Sequence, residues 1–302
     1  MNGFDPDKLV VMFGMPRGGS TSMYHILDKH PGCFVPFRKE TAYFSFNHHK
    51  GEAWYRGLFR DRLEHQPGFD ISPQYFGDLR SIERIRELAP NAKVILSLRD
   101  PVEFIISSYY QTNKFEKKAD FKAFVHGYTI TGENEVLNFN FSNGYIEKAV
   151  TELAQAFGRN VLFYDFKLFR EEPVRVLNAI EDFVDVNRFV SNQNYEPVKV
   201  NSTYQRNNRL LHWILSRESV ISAIDLVFPR SFIKRVRLAV DKITMPGVDL
   251  SEKKIQLSDE EKSYAAEVMK SDKQFVDDIL AQRRIFTGDM LDSLGGQSKS
   301  EY

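Results

Sequence analysis

LVVMFGMPRGGSTS, residues 9–22, joins a short apolar run to a glycine-rich turn and a series of hydroxyl side chains. An apolar run of this length is typical of a buried strand. The residues that follow predict a helix over 20–29, because Met23, Ile26 and Leu27 recur at helical spacing. A strand, a glycine turn and a helix are therefore expected within the first 29 residues.

Further strands and helices alternate along the chain. Strands are expected at 69–72, 92–98 and 161–164, and helices at 82–88, after Asp100-Pro101, at 146–157 and at 173–184. The apolar stripe of the second of these helices would comprise Val102, Ile105, Ile106, Tyr109 and Tyr110, and that of the third Ile146, Ala149, Val150, Leu153 and Phe157. This alternation predicts an α/β fold: a P-loop-like three-layer sandwich with a central, mostly parallel sheet flanked by helices.

The last third of the chain follows a different pattern. A polar loop is expected at 191–208, helices at 210–227 and 231–243, and a capping box of Ser258 and Glu261 at the start of a C-terminal helix. Residues 199–242 carry nine Lys or Arg and three Asp or Glu, which suits either solvated helix faces or a surface for an anionic nucleotide or acidic acceptor. We expect one domain over 1–293, with a core at about 9–185, a helical portion at about 186–293 and a disordered tail at 294–302.

Bulk composition excludes few partners. The formal net charge of the 302 residues is zero, so charge gives no reason to expect nucleic acid as a partner. Cys33, the single cysteine, cannot form an intrachain disulfide, which fits a reducing compartment. No apolar run reaches the roughly 20 residues that span a bilayer, and residues 1–8 lack a signal-like pattern. A cytoplasmic location without a transmembrane segment is expected.

The turn at 14–19 has the chemistry of an oxyanion site. Glycine lets the backbone approach a ligand, the helix N-terminus offers unpaired N–H groups, and Arg17 adds a full charge. The hydroxyls of Ser20, Thr21 and Ser22 are further donors. Gly14 and Gly19 are spaced as in the nucleotide triphosphatase loop, but Ser20 stands where that loop has lysine, and no acidic strand end for Mg²⁺ is evident. A phosphate or sulfate handled without Mg²⁺ is favoured, and an ordinary capped glycine turn is the structural alternative.

This loop resembles the 5′-phosphosulfate-binding loop of sulfotransferases that use 3′-phosphoadenosine-5′-phosphosulfate (PAPS), with Arg17 where that family usually has lysine. Leu98-Arg99-Asp100-Pro101, followed by Ser107 and Tyr109, resembles the family's 3′-phosphate-binding motif. The resemblance implies a PAPS donor, 3′,5′-phosphoadenosine as product and no metal. It assigns the 5′-phosphosulfate to Arg17, Gly18, Gly19, Ser20, Thr21 and Ser22, and the 3′-phosphate to Arg99 and Ser107, with Arg206 and Arg209 as further candidates near the adenine.

Residues 39–44, KETAYF, with Trp54-Tyr55 and Ser72-Pro73-Gln74-Tyr75 further on, resemble the heparan sulfate branch of these sulfotransferases and its bacterial relatives. That resemblance implies Glu40 as the general base, and Arg17 is the obvious cation for the leaving group. The branch often has a lysine just before the last of these elements, where this chain has Asp70 and Ile71, and Lys39 is a candidate replacement. His48 and His49 are alternative bases, since the cytosolic small-molecule enzymes use histidine.

The sequence thus predicts a sulfotransferase that moves a sulfuryl group from PAPS to a hydroxyl or amine in one in-line displacement. The acceptor class is open between carbohydrate, small metabolite, lipid and carrier-bound intermediate, and the family branch slightly favours carbohydrate. Two other functions remain: an atypical P-loop kinase, which would need ATP and Mg²⁺, and a non-catalytic nucleotide-binding protein on the same scaffold.

Overall fold

A computed structural model describes residues 3–112, 120–131, 136–139, 144–195, 256–291 and 293 of the chain. The strands in these ranges are β1 (Leu9–Gly14), β2 (Gly68–Ile71), β3 (Lys93–Leu98), β4 (Tyr128–Thr131), β5 (Val136–Phe139), β6 (Val161–Asp165) and β7 (Ile285–Thr287). The predictions for 196–243, for Arg206 and Arg209, and for the tail at 294–302 concern residues outside the described ranges.

Four strands of the central sheet run parallel. The sheet order is β2-β1-β3-β6-β7, in which β7 alone among the described strands of this sheet pairs antiparallel. β4 and β5 form a separate antiparallel hairpin. The predicted α/β fold with a mostly parallel sheet is confirmed, and its parallel strands bring their carboxyl ends to one edge, where ligands bind in folds of this kind.

Helices connect the strands. They are α1 (Ser20–Lys29), α2 (Gly51–Gly57), α3 (Arg80–Leu88), α4 (Pro101–Thr112), α5 (Phe121–His126), α6 (Tyr145–Phe157), α7 (Phe166–Glu171), α8 (Pro173–Phe183), α9 (Asp259–Val268) and α10 (Lys270–Gln282). The predicted capping box at the start of α9 is confirmed, because the Ser258 hydroxyl accepts the Glu261 amide and the Glu261 carboxylate accepts the Ser258 amide.

Both faces of the sheet are covered. Val10 and Met12 of β1 belong to a cluster that includes Met23 and Leu27 of α1 and residues of α7 and α8. The alternate residues of β1, Val11 and Phe13, are fully buried as well. Strands buried on both faces are apolar throughout rather than alternating, which is why the runs at 9–14 and 93–98 were recognisable in the sequence.

The buried face of α4 differs from the predicted stripe. Phe104, Ile105, Ser108 and Tyr109 are buried, whereas three members of the predicted stripe, Val102, Ile106 and Tyr110, are only partly buried. The helix is rotated so that the Phe104 ring meets the Phe76 ring edge-on, with centroids 5.9 Å apart. A large aromatic contact outweighs the slightly more apolar alternative face. The stripe predicted for α6 is confirmed in full.

A buried histidine joins the end of α1 to α8. The Gly32 amide donates to His30 Nδ1 at 3.0 Å, so the ring proton lies on Nε2, which donates to Glu181 Oε1 at 3.1 Å. The same carboxylate oxygen accepts the amides of Phe189 and Val190. Burial lowers the pKa of His30, against the opposing effect of Glu181, so the folded protein favours the neutral ring.

Candidate functional site

The glycine loop, residues 14–22, lies between the carboxyl ends of β2 and β3. The Met15 amide donates to the Ser97 carbonyl at 3.3 Å, and the Ser97 hydroxyl donates to the Gly14 carbonyl at 3.1 Å. The Gly18 amide closes a turn onto the Met15 carbonyl at 3.0 Å. Arg17 is thereby held at the tip of the turn with a φ of 65°, a conformation that costs energy for a residue with a side chain.

Gly18 is required by a close approach of the loop to β3. A β-carbon at this position would lie 2.1 Å from the Ser97 hydroxyl oxygen and 2.7 Å from the Met15 carbonyl oxygen. Gly19 then adopts a φ of 84° and begins α1 without a side-chain cap. The first turn of α1 therefore presents amide groups and the partly exposed hydroxyls of Ser20, Thr21 and Ser22, the donor set that an oxyanion needs.

Arg17, Arg99 and Ser107 lie together next to this turn. Arg99 Nη1 donates to the Arg17 carbonyl at 3.1 Å, and Arg17 Nε donates to the Ser107 hydroxyl at 3.2 Å. Partial burial and the Arg99 charge both lower the pKa of Arg17, because each disfavours its positive charge. A bound anion relieves such repulsion, so the arrangement suits a phosphate or sulfate.

Arg99 has a donor that no described residue satisfies. Its side chain is only 11% exposed, it contacts Glu103 at 3.2 Å, and its guanidinium carbon lies 5.4 Å from the centre of the Phe166 ring. Its Nε is buried without a hydrogen-bond acceptor among the described residues. A buried charged donor without a partner is costly, and an anionic ligand at this edge of the sheet would remove that cost.

Asp100 does not form an ion pair with Arg99, because it is paired with Lys273 of α10. Lys273 Nζ donates to Asp100 Oδ2 at 2.7 Å, and Asp100 Oδ1 accepts the Glu103 amide at the start of α4. Burial tends to raise the pKa of Asp100, but these hydrogen bonds prevail and lower it. Sequence reasoning missed Lys273, since nothing in the local pattern relates residues 173 positions apart.

Glu40 lies in a loop that α1 and the end of β2 hold on either side. Its carboxylate is 46% exposed and accepts a hydrogen bond from Lys39 Nζ at 2.7 Å. The Tyr24 hydroxyl on α1 is 3.3 Å from the carbonyls of both Pro36 and Phe37, which ties the segment before Glu40 to the helix that begins at the glycine loop. Glu40 is thus an accessible carboxylate on a tethered segment.

The alternative bases His48 and His49 lie in a 3-10 turn beyond this loop. The His48 ring packs against the Tyr43 ring at 5.2 Å, while His49 is exposed. Both histidines therefore lie on a turn that is separate from the loop of Glu40.

Asp70, one of the two residues in the stretch where a lysine was expected, is fully buried near the end of β2. Hydroxyl groups surround it: Ser72 donates to Oδ1 at 2.6 Å, and Thr41, Tyr75 and Tyr55 donate to Oδ2 at 2.8, 2.7 and 3.1 Å. We call this cluster the Asp70 hub. Burial raises the pKa of Asp70, while the four hydroxyl hydrogen bonds oppose that rise. Sequence reasoning noted Asp70 only as a missing cation.

The described ranges contain neither a metal-binding cluster nor a membrane-spanning helix. No group of three or more His, Cys, Asp or Glu side chains there is arranged to hold a metal ion. No helix in the same part of the chain combines the length and the apolar character needed to cross a membrane.

Comparison with known proteins gives a family and distant relatives. The family model described as "Sulfotransferase domain" matches residues 6–212. Heparan sulfate glucosamine 3-O-sulfotransferase 3A1 of Mus musculus is 27% identical over 192 residues, which are 61% of this chain and 47% of that protein. The membrane-associated sulfotransferase kil1 of Dictyostelium discoideum is 32% identical over 111 residues, covering 36% of this chain and 24% of that protein.

Among solved structures, a sulfotransferase from Alicyclobacillus acidocaldarius is 20% identical and covers 62% of this chain and 85% of its own, with a TM-score of 0.49. The chain spans about half the length of the heparan sulfate sulfotransferases that it matches.

Proposed function

Because this chain belongs to the sulfotransferase domain family, we propose that it transfers a sulfuryl group from PAPS to a hydroxyl or amine of an acceptor. The observation that carries the proposal is the contact of two arginines from different strand ends. Arg99 donates to the Arg17 carbonyl at 3.1 Å, and Arg17 donates to Ser107 at 3.2 Å, so one nucleotide with anionic groups at two positions could reach both cations.

We assign the two ends of the donor to the two sides of this pair. Arg17, Gly18, Gly19, Ser20, Thr21 and Ser22 would hold the 5′-phosphosulfate through the loop amides, the hydroxyls and the Arg17 charge. Arg99 and Ser107 would hold the 3′-phosphate, and the unsatisfied Nε of Arg99 supports this assignment. The Lys273–Asp100 contact keeps Asp100 from pairing with Arg99, whose ion-pair partner is the 62% exposed carboxylate of Glu103.

The proposed reaction is a single in-line displacement. The acceptor oxygen or nitrogen attacks sulfur, the bond from sulfur to the 5′-phosphate oxygen breaks, and 3′,5′-phosphoadenosine leaves with the bonding pair. Glu40 accepts the proton of the attacking group, which is the role of a general base. Charge builds on the leaving phosphate, where Arg17 and the amides of α1 stabilise it, so the proposal requires no metal.

We favour a carbohydrate acceptor. Several relatives are named for heparan sulfate glucosamine, and residues 39–44, which contain Glu40, resemble that branch of the family. A panel of hexosamine-containing saccharides, small hydroxylated metabolites, lipids and carrier-bound substrates, assayed with labelled PAPS, tests this choice directly. Transfer to a non-carbohydrate alone would overturn the acceptor class but leave the reaction standing.

We extend the proposal to the organisation and location of the chain. Residues 1–293 are taken as one sulfotransferase domain, and the buried free cysteine, Cys33, supports a reducing, cytoplasmic location. Fractionation of cells that produce the full chain tests the location.

A donor competition experiment tests the reaction class. Thermal stabilisation by 3′,5′-phosphoadenosine, without stabilisation by ATP–Mg²⁺, is the expected result, because a ligand stabilises the folded state that binds it. The opposite pattern would indicate a kinase and reject the proposal.

The Glu40→Gln variant separates an enzyme from a binding protein. Sulfate transfer should fall by about 100- to 10,000-fold, the usual contribution of a general base, while 3′,5′-phosphoadenosine affinity is retained. Glu152→Gln is the matched control, since Glu152 is a 38% exposed carboxylate paired with Lys148 on α6. Equal activity of Glu40→Gln and the control would remove Glu40 from the mechanism.

A further inference from the structure

The segment that follows Glu40 is held by three consecutive backbone amides. The Ala42 amide donates to the Ser72 hydroxyl at 3.2 Å, the Tyr43 amide to the Thr41 hydroxyl at 3.2 Å, and the Phe44 amide to the Tyr75 hydroxyl at 3.3 Å. Each of these hydroxyls in turn donates its proton to Asp70. One carboxylate thus organises three acceptors for three successive residues of the loop.

The direction of these hydrogen bonds depends on the charge of Asp70. A hydroxyl has one proton and two lone pairs, and an ionised carboxylate accepts only. With Asp70 ionised, each hydroxyl proton points at the carboxylate and a lone pair is left for the amide. An amide side chain at position 70 would present N–H groups to some of these hydroxyls, which would redirect their protons and disturb the acceptors of the loop.

The loop needs this support because its backbone is in an uncommon conformation. Ala42 has a φ of 52°, in the left-handed region that is unfavourable for a residue with a β-carbon. The Asn47 side-chain amide also donates to the Thr41 carbonyl at 2.7 Å. Conformations of this kind persist only where surrounding contacts over-determine them. Glu40 directly precedes the supported residues, and Tyr24 ties the residues before it to α1.

We propose that Asp70 is a positioning residue for Glu40: through the hydroxyls of Thr41, Ser72 and Tyr75 it holds the loop that aims the base at the acceptor. This rests on the proposed function, in which Glu40 accepts the acceptor's proton. It also gives Asp70 a role different from that of the lysine expected nearby, since Asp70 is fully buried and acts through the three hydroxyls.

Two tyrosines of the hub provide a matched pair of variants. Tyr75 and Tyr55 are both fully buried, and both hydroxyls donate to Asp70 Oδ2, at 2.7 and 3.1 Å. Only the Tyr75 hydroxyl accepts an amide from the loop after Glu40. Tyr75→Phe and Tyr55→Phe therefore each remove one hydroxyl from the same carboxylate and keep the ring, but only the first releases the loop.

Kinetics of the full chain with PAPS and an acceptor would test the proposal. Tyr75→Phe is expected to lower kcat by about tenfold and Asp70→Asn by about 10- to 100-fold, because small misplacements of a reacting group have costs of this size. The affinity for 3′,5′-phosphoadenosine should be unchanged in both. Tyr55→Phe should keep wild-type kcat, although it also removes a hydrogen bond from Asp70 and should lower the melting temperature.

A double-mutant cycle with Glu40→Gln provides the decisive readout. If Asp70 acts through Glu40, Tyr75→Phe causes no further loss of kcat in the Glu40→Gln protein. Multiplicative losses, or equal kcat losses in Tyr75→Phe and Tyr55→Phe, would overturn the positioning role alone. Full activity of Glu40→Gln would overturn the base assignment and this proposal with it. If Asp70→Asn fails to fold, the comparison of Tyr75→Phe with Tyr55→Phe and the double-mutant cycle still test the positioning role.

Discussion

Gly18→Ala adds one methyl group at the point where the glycine loop crosses β3. The new β-carbon would lie 2.1 Å from the Ser97 hydroxyl oxygen, 2.7 Å from the Met15 carbonyl oxygen and 3.2 Å from the Ser97 β-carbon. The hydroxyl could rotate only by giving up its hydrogen bond to the Gly14 carbonyl, and the Met15 carbonyl is backbone. The turn between Met15 and Gly18 must therefore open.

The size of the effect follows from this geometry. Forcing an extra methyl into a packed site costs about 1–3 kcal/mol. The free protein can relieve much of that strain by moving the exposed Arg17 and the loop outward, but the proposed nucleotide site depends on the original turn. Rebuilding it would weaken the binding of 3′,5′-phosphoadenosine by roughly 5- to 160-fold, since about 1.4 kcal/mol corresponds to a factor of ten.

Isothermal titration with 3′,5′-phosphoadenosine, with melting temperatures of the free proteins, is the assay. Gly57→Ala is the control, because Gly57 is exposed at the end of α2 and a β-carbon there would meet no atom within 4 Å. That variant should bind normally and gain about 0.5–1 kcal/mol in stability. Wild-type affinity in Gly18→Ala, with an unchanged melting temperature, would show that the close approach to Ser97 is not part of the binding site.

Two further perturbations test other parts of the structure. Arg99→Met should weaken 3′,5′-phosphoadenosine by about 10- to 150-fold, the loss of one hydrogen bond to a charged group, and leave AMP unaffected; equal losses for both nucleotides would place Arg99 away from the 3′-phosphate. For His30 the folded-state pKa is lowered, so its contribution to stability is present above the unfolded pKa of about 6.5 and is lost as pH falls below it, by up to about 1.4 kcal/mol per pH unit. Melting curves of the wild type and His30→Gln between about pH 7 and about pH 5 should therefore show a steeper decline in the wild type; parallel slopes would contradict the neutral, buried ring.

The elements that carried local signals were predicted closely. The strands at 9–14 and 93–98 are buried on both faces and therefore appear as uninterrupted apolar runs. The short antiparallel strand β7 has no such signal, since it is three residues long and only its middle residue is buried. The strand β7 forms because it pairs with the edge of β6, and no local pattern of residues predicts this pairing.

The residues of the candidate site also fall into two groups, those that the sequence predicted and those that only the structure identified. Arg17, Gly18 and Arg99 were found from the sequence because glycine turns and strand ends have recognisable chemistry. Asp70 was seen only as a departure from a motif, and its partnership with Thr41 links residues 29 positions apart. The proposed positioning role of Asp70 depends on three hydroxyl groups that come together around it only in the folded chain.

Residue order alone predicted a parallel α/β sheet and singled out the glycine turn at the end of β1 as a candidate anion site, because periodicity, glycine conformation and helix starts are short-range properties. Folding determined which side chains converge: the Arg17–Ser107 contact, the pairing of Asp100 with Lys273, the buried face of α4 and the Asp70 hub that bonds the loop after Glu40. These depend on the register of parallel strands and on competition between packing faces, and such long-range terms have no signature in any single segment.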